Sequence, residues 1–302
     1  MKFLLPLLII LIGLASCKEN TVNQIESAKK SNSIDDSVEM TEEQKDLIKN
    51  AIPIENLSKL SNKIYDEIAN FEILMIGEMH GTNEPAEFAY GLCKLITEHE
   101  DKVIMAMEIR SSLMNNLSDG MSISELKELD FFRRKNFDGR NGEAWLDLVY
   151  KSSQNDKIIL NFFDNSYPSS PRDSSMYLSI KQIRKSNPNT KIVTLSGNLH
   201  NRLEPFEGRK MLGCYLMEDS TEFNSNKIAS IMHSFGHGTM LNNIGNGLEL
   251  RTIEPEENIY NKTISADKFF SKNIFKDRQH YTHIVYTDKV TPSNVIEKDD
   301  GQ

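Results

Sequence analysis

Cysteine is scarce. Cys17, Cys93 and Cys214 are the chain's three, and no two stand in a CxxC or zinc-knuckle spacing. That excludes a disulfide-built scaffold and a thiolate zinc site. Clusters of Lys and Arg are absent as well. The formal charge is −9, and phosphate neutralisation needs concentrated basic side chains, so nucleic acid is not an expected partner. No apolar run approaches the roughly 20 residues of a comfortable membrane span. No internal repeat is present beyond one short motif taken up below. What remains is ordinary in amount: 302 residues, 38% hydrophobic and 26% charged. Such a chain buries the core of one medium-sized globular domain.

The longest apolar run, residues 3–15 of MKFLLPLLIILIGLASC, has the length of a secretory signal core. Leu14-Ala15-Ser16-Cys17 resembles a bacterial lipobox, in which cleavage precedes the cysteine and its sulfur carries diacylglycerol. Residues 1–16 are therefore expected to be a lipoprotein signal peptide. Cys17 is the expected lipidation site, and the lipid would hold the protein to a membrane of the bacterial cell envelope. Two or three acyl chains anchor stably where one is marginal. Residues 17–40 are polar and aperiodic, as in a solvated tether. Cys93 and Cys214 lie in apolar surroundings and read as small buried hydrophobes.

From residue 41 strands and helices alternate. Thr41-x-x-Gln44 is a capping box for a short helix ending before Pro53, and a helical apolar spacing covers 57–69. Residues 73–76 form a continuous apolar run, as in a strand covered on both faces. A helix is expected over 85–99, with Pro85 in its first turn. Further strands are expected at 103–107, 158–163, 192–195, 228–232 and 283–286, with a helix over 172–185. Residues 111–153 are long for a crossover and carry helices near 122–129 and 143–153. The fold class is α/β: a doubly wound, mostly parallel sheet with a helical insertion. The domain is expected over 41–290, with a disordered tail at 291–302.

Polar groups gather at the expected carboxyl ends of the strands, where open α/β sheets bind ligands. Gly77-Glu78-Met79-His80, with Glu84 beyond, ends the first. Glu108-Ile109-Arg110 ends the second, Asp164 the third, and Gly197-Asn198-Leu199-His200 the fourth. His233 follows the fifth, and the SFGHGTM stretch after it has the glycines of a loop over a cleft. Two GxxH turns on two parallel strands would bring two imidazoles into one crevice, within about 8 Å if they share a metal or a water. His80, His200 and Glu108 form a sensible donor set for a divalent metal. Without metal, the same groups can run acid–base hydrolysis. Arg172 or Arg110 can hold a substrate carboxylate or an oxyanion.

GEMHG with its following Glu, AMEIR, PRDSSM and SGNLH, in this order, resemble the TIKI/TraB/ChaN/erythromycin-esterase-like superfamily, over about residues 71–200. GEMH and the Arg-Asp-x-x-Met of residues 172–176 are most similar to its ChaN-like branch, which includes haem-binding lipoproteins. The resemblance implies a site lined by His80, Glu84, Glu108, Arg172 and His200. Glu78 and His233, from their places at strand ends, are candidate cofactor contacts. The resemblance also implies a hydrolase acting on an ester or peptide bond of a small-molecule or peptide substrate. The alternative is a lipoprotein that binds haem or another small ligand without catalysis, with Tyr90, Tyr167 or Met176 contributing to the haem pocket.

Overall fold

The computed structural model describes residues 41–118, 120–134, 138–165, 171–243, 245, 247–253, 266–273 and 280–297. Cys17, the signal run, the tether and Tyr167 lie outside them. The chain divides into a unit of residues 1–39 and one of residues 40–302; only the second is described below.

The helices are α1 (Glu42–Asn50), α2 (Asn62–Ile68), α3 (Glu84–His99), α4 (Ile123–Lys127), α5 (Glu143–Ser153), α6 (Arg172–Ser186) and α7 (Leu212–Glu218). The strands are β1 (Ile52–Pro53), β2 (Ile73–Glu78), β3 (Val103–Arg110), β4 (Ile158–Asp164), β5 (Lys191–Gly197), β6 (Ile228–Asn243), β7 (Leu248–Ile253), β8 (Lys268–Lys272) and β9 (His283–Val290). Among the described residues they form one sheet in the order β1-β8-β9-β6-β2-β5-β3-β4, with β7 beside β6. The run from β9 to β4 is parallel, and β1, β7 and β8 pair antiparallel. This is the expected doubly wound α/β sheet.

Burial explains the order. Every residue of β2 is buried, so its run of apolar side chains serves both faces. Leu74 and Ile76 join one core with α3, α5 and the α2 helix, while Ile73 and Met75 join the other with α6 and α7. The capping box opens α1 as expected, Thr41 accepting from the Gln44 amide. Lys191, at the foot of β5, is buried with its ammonium donating to the carbonyls of Ala69 and Phe71. Burial pushes its pKa down.

Several boundaries differ from the sequence reading. The helix expected over 57–69 is confined to α2, and the first part of that span is turn. SFGHGTM is strand: β6 runs on to Asn243 because β9 and β7 supply hydrogen-bonding partners along its length. The tail does not begin at 291, since residues 291–295 lie against the loops after β2 and before α5. Cys93 and Cys214 are both buried and free.

Candidate active site

The strand order places β2, β5 and β3 side by side, so their carboxyl ends deliver His80, His200 and Glu108 to one place. Neighbouring strands are only about 4.8 Å apart. The two imidazoles converge on Gly197. A Cβ there would lie 3.3 Å from His80 Cε1 and 3.7 Å from His200 Cδ2. Those two ring atoms are therefore no more than about 7 Å apart.

Each ring is held by its own carboxylate. His80 Nδ1 lies 2.5 Å from Glu78 Oε1, and Glu78 Oε2 accepts from the indole N–H of Trp145 at 3.2 Å. Glu78 is wholly buried, whereas the His80 side chain is 27% exposed. With Nδ1–H donated to Glu78, the neutral ring presents Nε2 to the cleft as an acceptor. Burial works to lower the pKa of His80, but the Glu78 carboxylate, its hydrogen bond and the charge of Glu108 outweigh it, and the pKa is raised. His200 Nδ1 lies 2.7 Å from Asp173 Oδ1, which also accepts from the Leu212 amide at 2.8 Å. Its Nε2 then faces Arg172 Nη1 at 3.4 Å.

Glu108 sits beneath the rings with a wholly buried side chain. Its Oε1 accepts from Arg140 at 2.6 Å and from Arg172, and its Oε2 accepts from the Gly197 amide at 2.9 Å. Burial would raise its pKa; Arg140, the two imidazoles and Arg172 instead hold it at about 2. Arg172 also reaches Asp164 at 2.7 Å, and Arg140 reaches Asp138 at 2.5 Å. Burial opposes the charge on Arg140, yet Glu108 and Asp138 more than offset it and raise its pKa.

This donor set does not suit a divalent metal. Both Glu108 oxygens are committed to guanidinium and amide donors, and two cationic side chains lie against Oε1. Among the described residues no group of three His, Cys, Asp or Glu side chains has metal-binding geometry. Of the residues named for a haem pocket, Met176 is wholly buried in the core. Tyr90 lines a separate groove between α3 and α5.

Three candidates sit elsewhere. Glu84 opens α3, and its Oε1 accepts from the amide and hydroxyl of Thr291 at 2.8 and 2.7 Å. No hydrogen bond or ion pair joins it to either imidazole. His233 is not a cofactor contact: it is 2% exposed, lies 2.6 Å from Thr287 Oγ1 between β6 and β9, and burial lowers its pKa to about 3. Arg110 is exposed at the end of β3.

Arg140, Trp145 and the role of Asp173 escape the sequence reading. Arg140 lies in the insertion, and Gly139 brings it in. Gly139 has φ +99, and a Cβ there would lie 2.3 Å from the Gly81 nitrogen and 2.6 Å from the His80 carbonyl carbon. The insertion thus rests directly on the His80 turn. Asp173 stands inside the PRDSSM motif, where its adjacency to Arg172 was the available signal.

No protein-family model matches the chain, and no curated protein matches its sequence. Its fold matches solved structures at low identity. A succinoglycan biosynthesis protein superposes with a TM-score of 0.57 at 11% identity, covering 84% of this chain and 98% of the other. A Bacillus cereus protein gives 0.55 at 11%, with the same coverage. An erythromycin esterase mutant in its open conformation gives 0.54 at 12%, covering 80% and 98%. These likenesses show that the chain shares the fold of these three structures.

Proposed function

We propose that the protein is a hydrolase that activates water at His80 for attack on an ester or peptide bond. One observation carries this reading: two imidazoles, each oriented by its own carboxylate, face the same point above Gly197. In the proposed reaction water donates a hydrogen bond to His80 Nε2. The ring takes the proton as the oxygen attacks the carbonyl carbon, and Glu78 stabilises the imidazolium that forms. Arg172, half-exposed at the mouth, offers its guanidinium to the developing oxyanion. The proton on His80 then passes to the leaving group, which restores the neutral ring. Glu108 takes no proton in this scheme. Held ionised, it fixes Arg172 and the Gly197 amide in place. The erythromycin-esterase-like fold supports a hydrolase in general terms. A lipid on Cys17, holding the enzyme at the cell envelope, belongs to the same proposal and rests on the lipobox.

A panel of chromogenic esters and peptides tests the reading. The wild type should turn over at least one, and His80→Ala should lower kcat by roughly 100-fold or more while the circular dichroism spectrum and Tm stay put. An equal rate in the variant, or no turnover across the panel, would overturn it.

A further inference from the structure

Residues 291–296, Thr-Pro-Ser-Asn-Val-Ile, are joined to both loops that carry the site. On the His80 side, Thr291 donates its amide and hydroxyl to Glu84 Oε1. The Asn83 amide donates to the Thr291 carbonyl at 3.1 Å, and the Ser293 amide to the Gly81 carbonyl at 2.9 Å. On the Arg140 side, the Ala144 amide donates to Ser293 Oγ at 3.1 Å and the Glu143 amide to the Asn294 carbonyl at 2.9 Å. Bridges pair Thr82 with Pro292 and Gly142 with Val295. Ser293, between the two loops, is wholly buried. The Gly81 carbonyl also accepts from Leu241 in β6 at 3.0 Å, so the peptide after His80 is pinned from two directions.

We infer that residues 291–296 form a strap that fixes the His80 and Arg140 turns against each other, and that Glu84 is a positioning residue acting through Thr291. This deepens the hydrolase reading and rests on it only for its effect on turnover. Glu84 is seven-percent exposed, its Oε1 is taken by Thr291, and its buried Oε2 has no protein partner. Oε1 accepts two hydrogen bonds across more than two hundred residues of sequence, so its loss would release the loop directly after His80. A misplacement of about 1 Å at such a centre costs up to roughly 100-fold in rate.

The test separates positioning from proton transfer. In full-length protein labelled at its histidine rings, the His80 titration is followed by NMR, and turnover is followed with p-nitrophenyl acetate. Glu84→Ala should bring the His80 titration down toward that of a free imidazole and lower kcat at least roughly tenfold, with KM little changed. Glu84→Gln keeps an acceptor for Thr291 and should restore both; Thr291→Val, the milder change, should fall between. Ending the chain after Val290 should reproduce Glu84→Ala, and ending it after Glu297 should not. If Glu84→Gln is as inactive as Glu84→Ala while His80 titrates normally, Glu84 transfers the proton itself and the strap proposal fails. An unchanged His80 titration in Glu84→Ala also overturns it. Absence of wild-type turnover would remove the hydrolase reading alone, because the titration still decides the strap.

Discussion

At the scale of single residues, the site depends on one buried carboxylate. Glu108 has a negative charge in a protein interior, which is costly unless it is paired and hydrogen-bonded. Arg140, Arg172 and the Gly197 amide occupy three of the roughly four acceptor sites, and the two guanidiniums supply the counter-charge. Replacing it with Gln leaves Arg140 with only Asp138 and Arg172 with only Asp164 as counter-charge, and turns an amide N–H toward donors that need an acceptor. Glu108→Gln should therefore destabilise the fold by about 1–3 kcal/mol, measured by urea denaturation at pH 7. The pH dependence carries a definite sign. A carboxylate whose folded pKa is depressed to about 2 from an ordinary 4.5 contributes stability that is present above 4.5. That contribution is lost as the pH falls from 4.5 toward 2. Between those limits the Gln variant should show a flatter stability curve than the wild type; an equally steep curve would show that Glu108 is not the group responsible. Part of this was legible in the sequence, which named Glu108 and Arg172 from their places at strand and helix ends. Arg140 was not. Nothing in the spacing of an aperiodic insertion indicates which of its arginines turns inward. That is decided by Gly139 lying against Gly81.

At the scale of elements, the strand ends place the rings. Strong periodic and apolar-run signals made β2, β3, β4 and β5 readable, whereas the adjacency of β2 and β5 is seen only in the structure. The antiparallel additions β1, β7 and β8 were missed because strands of two to six residues carry too little alternation to stand out. The extension of β6 was missed because two glycines in SFGHGTM look like a loop. Gly238 does have φ +137, with the Val290 carbonyl 2.1 Å from where its Cβ would be. The glycine serves strand packing there. Gly197 is a different case. Its φ of −56 is open to any residue, so its lack of a side chain serves only to let the rings approach. Gly197→Ala is therefore a clean steric probe. A Cβ at 3.3 Å from His80 should push one ring aside and lower kcat roughly tenfold, with Tm reduced by less than about 4 °C. A full rate in this variant would mean the rings need not meet above that position.

At the scale of the whole molecule, four stretches far apart in sequence build one centre: the two GxxH turns, the insertion and the residues after β9. The first were visible as motifs. The last read as a tail, because TPSNVIEKDD is polar and without period, and its hydrogen bonds are made one residue at a time to loops. Tertiary contacts of that kind leave no repeating trace in a sequence. The account's central claim is that His80, held by Glu78, accepts the proton at this shared centre. The pH dependence of kcat/KM in the wild type and in Glu78→Gln tests it most directly. A base with a raised pKa should give a rate that climbs with pH to a plateau, with its midpoint above the 6.5 of an ordinary imidazole. Removing the Glu78 charge should move that midpoint downward and lower the plateau. A midpoint that stays in place when Glu78 is neutralised would contradict the assignment of His80 as the base.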